Sequence, residues 1–508
     1  MAAPAVENLP APPRRGLTLA LATVVVAAAL VLNNLGTAEV CGSNEAVEAI
    51  FVQQMVEHGR LLFPLENGHA PMYKPPLFHW TATALDHLMG ESEVNSFNLR
   101  FASALYAVAG VILTIAFSWQ FIGASSGWLA GFILCGSYQY IEQGRIGRVD
   151  MTLCFFETLA LMAFMWWYAD EDSTRRDWLP YVFAGALGLG VLAKGPVGVI
   201  LPAATCVIFL VVQRQTKQLS ELASPGAIAL AVIIGGSWYA ACFFGRRYAF
   251  LDRQLGSENF GRFFGSLGAM PVWYYVEPIL LNSGPLSLLV PLAVFFALRT
   301  YWRKPAAAEG DPLINAVAPN ARALDAVRLF AIFWLISIIF FSAAAYKRRA
   351  YLLPLWPTAA VMLTWWLQSI RANSPVWGHR FRRVVVLLCC GLILFNSLFL
   401  PAHQVQECAG DSVQDAAQKI DRIVGKDEPL YLYGFAEDPA PLLFYLDRSA
   451  PPISGKLGDA PPGYVIVPAE IWRKDQQEAL DLTPVFESSS GRPPVVLLRH
   501  GRALAMMR

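Results

Sequence analysis

The stretch Pro71-Met72-Tyr73-Lys74-Pro75-Pro76-Leu77-Phe78-His79-Trp80 decides how the chain is read. It sets a lone cation among aromatic rings on a turn stiffened by two prolines, which fix their own φ and keep the preceding residue out of the α region. The turn lies in a polar loop after the first hydrophobic segment. The acidic run Asn44-Glu45-Ala46-Val47-Glu48 lies upstream in the same loop. A lysine and a carboxylate at the mouth of a membrane protein point to chemistry on an anionic lipid, provided the loop faces the right side.

The rest of the chain supplies the membrane. Of 508 residues, 55% are hydrophobic and only 15% charged, against roughly 25% charged in soluble domains. Mean hydropathy is +0.43. Net charge is +1, so no basic field favours a nucleic-acid partner. Apolar runs at 17–35, 99–121, 127–141, 151–169, 179–193, 197–213, 227–244, 274–298, 327–345, 352–367 and 384–400 read as spans. The fold class is therefore an all-α polytopic membrane protein with about 11–13 transmembrane helices. The first run, behind Arg14 and Arg15, reads either as a signal peptide or as an uncleaved first helix, and the many later spans favour the helix.

With the N-terminus in the cytoplasm, Arg14/Arg15, Arg175/Arg176, Arg214/Lys217, Arg299/Arg303/Lys304 and Arg371/Arg380/Arg382/Arg383 fall inside, as the positive-inside rule requires. Lys74, Arg145, Arg148, Lys194, Arg246, Arg247, Arg262, Lys347, Arg348 and Arg349 fall outside, against that rule. An anion to be bound would account for them; an inverted orientation with misjudged spans is the alternative. Outer loops 36–98 and 245–271 are long, and residues 45–57 space Val47, Phe51 and Met55 like a surface-lying amphipathic helix. The Ala/Pro/Asn-rich stretch 305–324 reads as a mobile cytoplasmic loop. Residues 1–400 thus form the membrane domain. Residues 401–508 alternate strand and helix (helices at 411–424, 440–446 and 470–479; strands at 429–434, 463–467, near 485 and 494–499) and read as a small soluble α/β domain on the outer face. Cys41 and Cys408 stand just beyond a span each. They would pair if both faced an oxidising compartment and met in space, which spacing alone leaves open.

Transfer of a group from a lipid phosphate needs cations for the departing phosphate and a carboxylate to receive the acceptor proton. The outer loops hold both. Glu45 is the first base candidate; its alternative is the acidic first turn of a helix, favoured by the dipole. Asp150 is a second carboxylate or a helix N-cap. Lys194, between apolar runs, is costly unless paired. Lys347, Arg348 and Arg349 cluster between two spans, Tyr351 offers a donor to a phosphate oxygen, and Arg262 offers a fork. His79 reads as an interfacial partner rather than a ligand.

Tyr73–Trp80, Arg148-Val149-Asp150-Met151, Ala193-Lys194-Gly195-Pro196, Glu258-Asn259-Phe260-Gly261-Arg262-Phe263, Trp273-Tyr274-Tyr275 and Tyr351-Leu352-Leu353-Pro354 recur in an order that resembles the GT-C superfamily. The branch is that of aminoarabinose transferases of lipid A and protein O-mannosyltransferases. The resemblance implies transfer of a sugar from a polyprenyl phosphate to a lipid, glycan or protein acceptor at the outer face of the inner membrane. It puts Lys74, Lys194, Arg262 and Tyr351 around the carrier phosphate and Asp150 near the acceptor, with Arg148 and Tyr73 alongside. It also allows a divalent metal ion. Two positions depart from the pattern. Asn44 stands where an aspartate base is usual, and an amide accepts no proton at neutral pH; Tyr73 stands where a metal-associated glutamate is usual. An anionic-lipid transporter or flippase, or a lapsed glycolipid-binding relative, are the alternatives.

Overall fold

Among the described residues six helices are long and apolar enough to cross a bilayer: Arg14–Leu32, Ser96–Phe121, Val149–Ala169, Pro225–Phe244, Ala321–Ala343 and Pro375–Glu407. Val197–Val212 is a shorter apolar helix. The chain is a multi-pass membrane protein. In this computed structural model the described residues run from 14 to 500, apart from 125, 171–172, 267, 282–283, 303–320, 409–411, 437–438, 447, 478 and 489–493. Most of the stretch 305–324 therefore lies outside the described residues; its last positions open the helix Ala321–Ala343.

The chain forms two compact units. One comprises Met1–Asn33, Tyr73–Phe78 and Ser103–Phe399; the other comprises Asn34–Met72, His79–Ala102 and Leu400–Arg508. In the first, Ser173–Lys194 packs against Val149–Ala169 and Pro225–Phe244. Small residues allow the approach, as is usual where lipid gives helices no hydrophobic drive to associate. A Cβ on Gly198 would overlap the Gly190 backbone, so the hairpin joining Ser173–Lys194 to Val197–Val212 closes backbone to backbone. Its corner, Gly195, has φ +94°, and a Cβ there would strike the Gln254 amide.

Two single spans expected from hydropathy are broken. Residues 127–141 form Gly127–Cys135 and Tyr138–Gly144. Residues 274–298 pass through the turns and helices Val272–Tyr275, Val276–Leu281, Gly284–Leu289 and Val290–Trp302. Pro278, Pro285 and Pro291 punctuate the second run, each removing a backbone donor. Arg145, counted above among cations awaiting an anion, is fully buried and donates to the carbonyls of Leu30 (2.8 Å) and Val31 (3.3 Å). It satisfies the open C-terminal end of the first helix.

In the second unit the strands β1 (Leu65–Glu66) and β2 (Ala70–Pro71) form a small antiparallel pair. Strands β3 (Leu430–Leu432), β4 (Tyr464–Pro468), β5 (Leu482–Glu487) and β6 (Val495–His500) form a sheet ordered β3-β4-β6-β5, with only β3 and β4 parallel. Val465, Val467, Val496 and Leu498 fill its core, and the helices Val413–Ile423, Ala440–Leu446 and Ala469–Asp475 complete the expected α/β arrangement. The expected surface helix exists as Ser43–Val56, but ten of its fourteen residues are buried and its apolar residues form no single stripe. It packs on Ala440–Leu446. Every side of it is covered by protein, so the spacing of Val47, Phe51 and Met55 did not mark a membrane-facing stripe. Cys41 and Cys408 are disulfide-bonded across 367 residues. The same seam carries Val40 N–H donating to Tyr445 Oη (2.8 Å) and Asn67 exchanging hydrogen bonds with the Ala450 backbone (2.8 and 2.7 Å).

Gly198→Ala is expected to cost about 1–3 kcal/mol by overpacking, read as a lower unfolding midpoint in detergent. Gly185→Ala, where a Cβ meets nothing within 4 Å, should not lower it. Alkylation followed by mass spectrometry should leave Cys41 and Cys408 unlabelled until a reductant is added.

Candidate active site

Lys74 is held on the Pro75-Pro76 turn with 7% of its surface exposed. Its ammonium lies 2.5 Å from Glu258 Oε2 and 4.9 Å above the Tyr73 ring, which Arg253 also approaches at 5.1 Å. Glu258 sits near the end of a ten-residue π-helical stretch, Asp252–Gly261; such stretches are rare and concentrate at functional sites. Four residues on, Arg262 donates to Glu258 Oε1 at 2.9 Å and lies 2.7 Å from Oε2. Its other terminal nitrogen donates to Tyr351 Oη at 3.4 Å, and its guanidinium stacks over Tyr346 at 5.3 Å.

A second ion pair lies in the same unit. Lys194, the last residue of its helix, pairs with Asp150 Oδ1, and Arg148 Nη2 lies 3.3 Å from Asp150 Oδ2. The Lys194 ammonium also stands 4.8 Å over the Tyr351 ring. Asp150 is inside the first turn of Val149–Ala169 rather than at its N-cap, which is Arg148. A carboxylate there is favoured by the helix dipole.

Lys74, Lys194, Glu258, Arg262, Tyr346 and Tyr351 gather at one cavity of about 330 Å³. Apart from Glu157 and Asn259, its remaining wall is apolar, with Leu153, Val197, Ile200, Phe263, Phe340 and Phe341 beside the exposed rings of Phe260 and Phe264. The cavity therefore joins charge to hydrocarbon. The cluster Lys347–Arg348–Arg349 does not line it. Lys347 turns into the carbonyls of Met270 and Ala344, Arg348 Nε reaches Tyr346 Oη at 3.3 Å, and Arg349 pairs at 3.2 Å with Glu277 in an exposed contact. Backbone carbonyls left open at the end of Ala321–Ala343 claim the lysine, and Tyr346 takes the place on the wall. Sequence reasoning missed Tyr346. It quoted Glu258 without a role, because an acidic residue in an outer loop looks like solvated surface. It also missed Glu157, a buried carboxyl on the cavity wall about two helical turns past Asp150.

The remaining predicted residues belong to the second unit. Glu45 is buried and accepts from Arg100 Nε (2.8 Å) and Nη2 (2.9 Å), while Arg100 also donates to the carbonyls of Leu35, Ala38 and Glu39. Asn44 is exposed in the same helical turn. His79 Nε2 lies 2.7 Å from Glu48 Oε2, both buried, which makes His79 a structural partner.

Burial pushes the Lys74 ammonium down to about 8, with Glu258 opposing and Arg262 and Lys194 reinforcing the fall. Burial alone would raise Glu258, but Lys74 and Arg262 outweigh it and hold the carboxyl below its ordinary value. Among the described residues no group of three or more His, Cys, Asp or Glu side chains could hold a metal ion. Of the two carboxyls on the cavity wall, Glu258 already faces two cations and Glu157 stands singly among apolar residues, while Asp150 beside the cavity faces two cations of its own. This donor set does not fit a divalent metal.

A crystal structure of ArnT from Cupriavidus metallidurans bound to undecaprenyl phosphate superposes with a TM-score of 0.76 at 17% identity, over 95% of this chain and 97% of that one. The chain has the GT-C fold. The same fold relates it to the oligosaccharyltransferase of Archaeoglobus fulgidus, solved in complex with zinc and sulfate (TM-score 0.53, 13% identity, 93% of this chain and 72% of that one). In sequence, residues 52–246 match the dolichyl-phosphate-mannose-protein mannosyltransferase family. The undecaprenyl phosphate-alpha-4-amino-4-deoxy-L-arabinose arabinosyl transferase of Shewanella sediminis is 26% identical over 66% of this GT-C chain, a match that spans 57% of the relative's length.

The Lys74 environment gives a pH dependence. Affinity of the free protein for a lipid phosphodiester, whose own charge is constant in this range, should fall as pH rises through about 8 and the ammonium is lost. Lys74→Arg should move that limb up by at least two pH units, because the guanidinium stays charged. Titration of binding across pH 6–10 checks both.

Proposed function

We propose that the chain is an integral membrane glycosyltransferase that moves a sugar from a polyprenyl-phosphate carrier to a hydroxyl or phosphate acceptor on a lipid, glycan or protein. The observation that carries this reading is the cavity, where three cations and a tyrosine hydroxyl meet an apolar wall ending in exposed phenylalanines. A prenyl chain suits the aromatic wall, and its phosphate suits the Lys74–Arg262–Lys194 end. The exposed Phe260 and Phe264 give the carrier a sideways entry from lipid.

The acceptor oxygen attacks the anomeric carbon from the face opposite the phosphate. The bond from that carbon to the phosphate oxygen breaks, and the electron pair leaves on the phosphate, inverting the centre. Lys74, Lys194 and Arg262 stabilise the charge that develops there. Asp150 holds Lys194 in place through Oδ1, and once the phosphate draws that ammonium away Oδ1 can take the acceptor proton while Arg148 stays beside Oδ2. No step runs through a metal.

The site is proposed to face the outer side of the cell inner membrane. The Cys41–Cys408 disulfide supports this placement for the second unit, since such bonds persist in oxidising compartments. The arginines at 299 and 371–383 fit the opposite side.

Removing one transition-state cation costs about 10²–10³ in rate. Lys74→Ala and Lys194→Ala should each lower transfer from a radiolabelled polyprenyl-phosphate sugar by that order, and full activity in the double variant would remove the phosphate-site assignment. Asp150→Asn should lower kcat more than it weakens carrier binding; the reverse pattern would reassign it to carrier binding.

A further inference from the structure

We propose that Glu258 is a resident competitor for the lipid phosphate, weighting the site against the spent carrier. This rests on the phosphate-site reading above and extends it to product release. With no ligand bound, the Glu258 carboxylate already sits where an anion belongs, 2.5 Å from Lys74 and 2.7 and 2.9 Å from Arg262. An arginine fork and an ammonium meet carboxylate and phosphate oxygens in the same way. Both cations are largely buried and already engaged by Glu258. A phosphate can take them only by displacing Glu258, and Glu258 can reclaim them only as the phosphate leaves.

Charge makes the competition selective. The sugar-loaded carrier is a phosphodiester with one negative charge. Transfer leaves a phosphomonoester, whose second ionisation near pH 6 brings it toward two negative charges at neutral pH. Lys74, Arg262 and Glu258 sum to one positive charge, which suits the diester. Without Glu258 the two cations would match the monoester and hold it. The carboxylate therefore keeps the site empty enough to turn over, because the product is the better anion and would otherwise stay.

The test is binding of polyprenyl monophosphate, without sugar, to the detergent-solubilised full chain at pH 7.5. Glu258→Gln should bind it at least tenfold more tightly than the wild type, and Lys74→Ala should lose binding. In turnover, Glu258→Gln should show a burst followed by a slow steady state and stronger inhibition by added monophosphate. Equal or weaker binding by Glu258→Gln overturns the inference while leaving the phosphate site standing, provided that Lys74→Ala still loses binding. Wild type and Lys74→Ala binding equally, or not at all, overturns the phosphate site itself and the inference with it. A second measurement needs no variant. A water-soluble carbodiimide should join Glu258 to Lys74 in the empty wild-type protein, and saturating polyprenyl monophosphate should suppress that cross-linked peptide. A yield unchanged by bound lipid overturns the proposal.

Discussion

Two charge triads, each a carboxylate between two cations, hold this site together. Lys74 and Arg262 share Glu258, and Lys194 and Arg148 share Asp150. A cation withdrawn from water in a membrane protein is tolerable only beside an opposite charge. The carboxylates therefore fix where three separate parts of the chain converge: the proline turn at 73–76, the glycine corner at 194–196 and the π-helical stretch before Arg262. Breaking one partner would leave the other charge stranded, which costs far more than the pair contributes.

The arrangement also explains why the cavity is shaped as it is. Apolar helices bring Leu153, Val197, Ile200 and Phe340 to its wall, and the proline turn, a helix end and the π-helical stretch bring Lys74, Lys194 and Glu258. The helices approach closely because glycines at 190 and 198 leave no Cβ between them. Lys194 thus reaches its place through backbone packing, not through a long flexible reach.

Much of this was legible beforehand. Lys74 stood out because two prolines isolate it, and Lys194 because a lysine amid apolar residues needs a partner. The C-terminal strands and helices followed from alternation with clear turn residues. What stayed hidden was non-local. Hydropathy averages across Pro278, Pro285 and Pro291, so a broken segment looks like one span. The spacing of Val47, Phe51 and Met55 fits a half-buried helix, and only the packing of Ala440–Leu446, about four hundred residues away in sequence, covers its other side. Arg145 and Lys347 looked like anion receptors because a sequence does not display the open carbonyls that claim them. Glu258 looked like an ordinary loop acid until its cations were in place.

The Cys41–Cys408 bond carries a topological consequence. Two sulfurs can join only when both lie on one side of the bilayer, so the chain between them crosses it an even number of times. A chain that skipped or gained a crossing would strand its last cysteine across the membrane from its mate. The bond therefore closes only on chains with an even number of crossings between the two cysteines, and it forms only after the last of those crossings has been made.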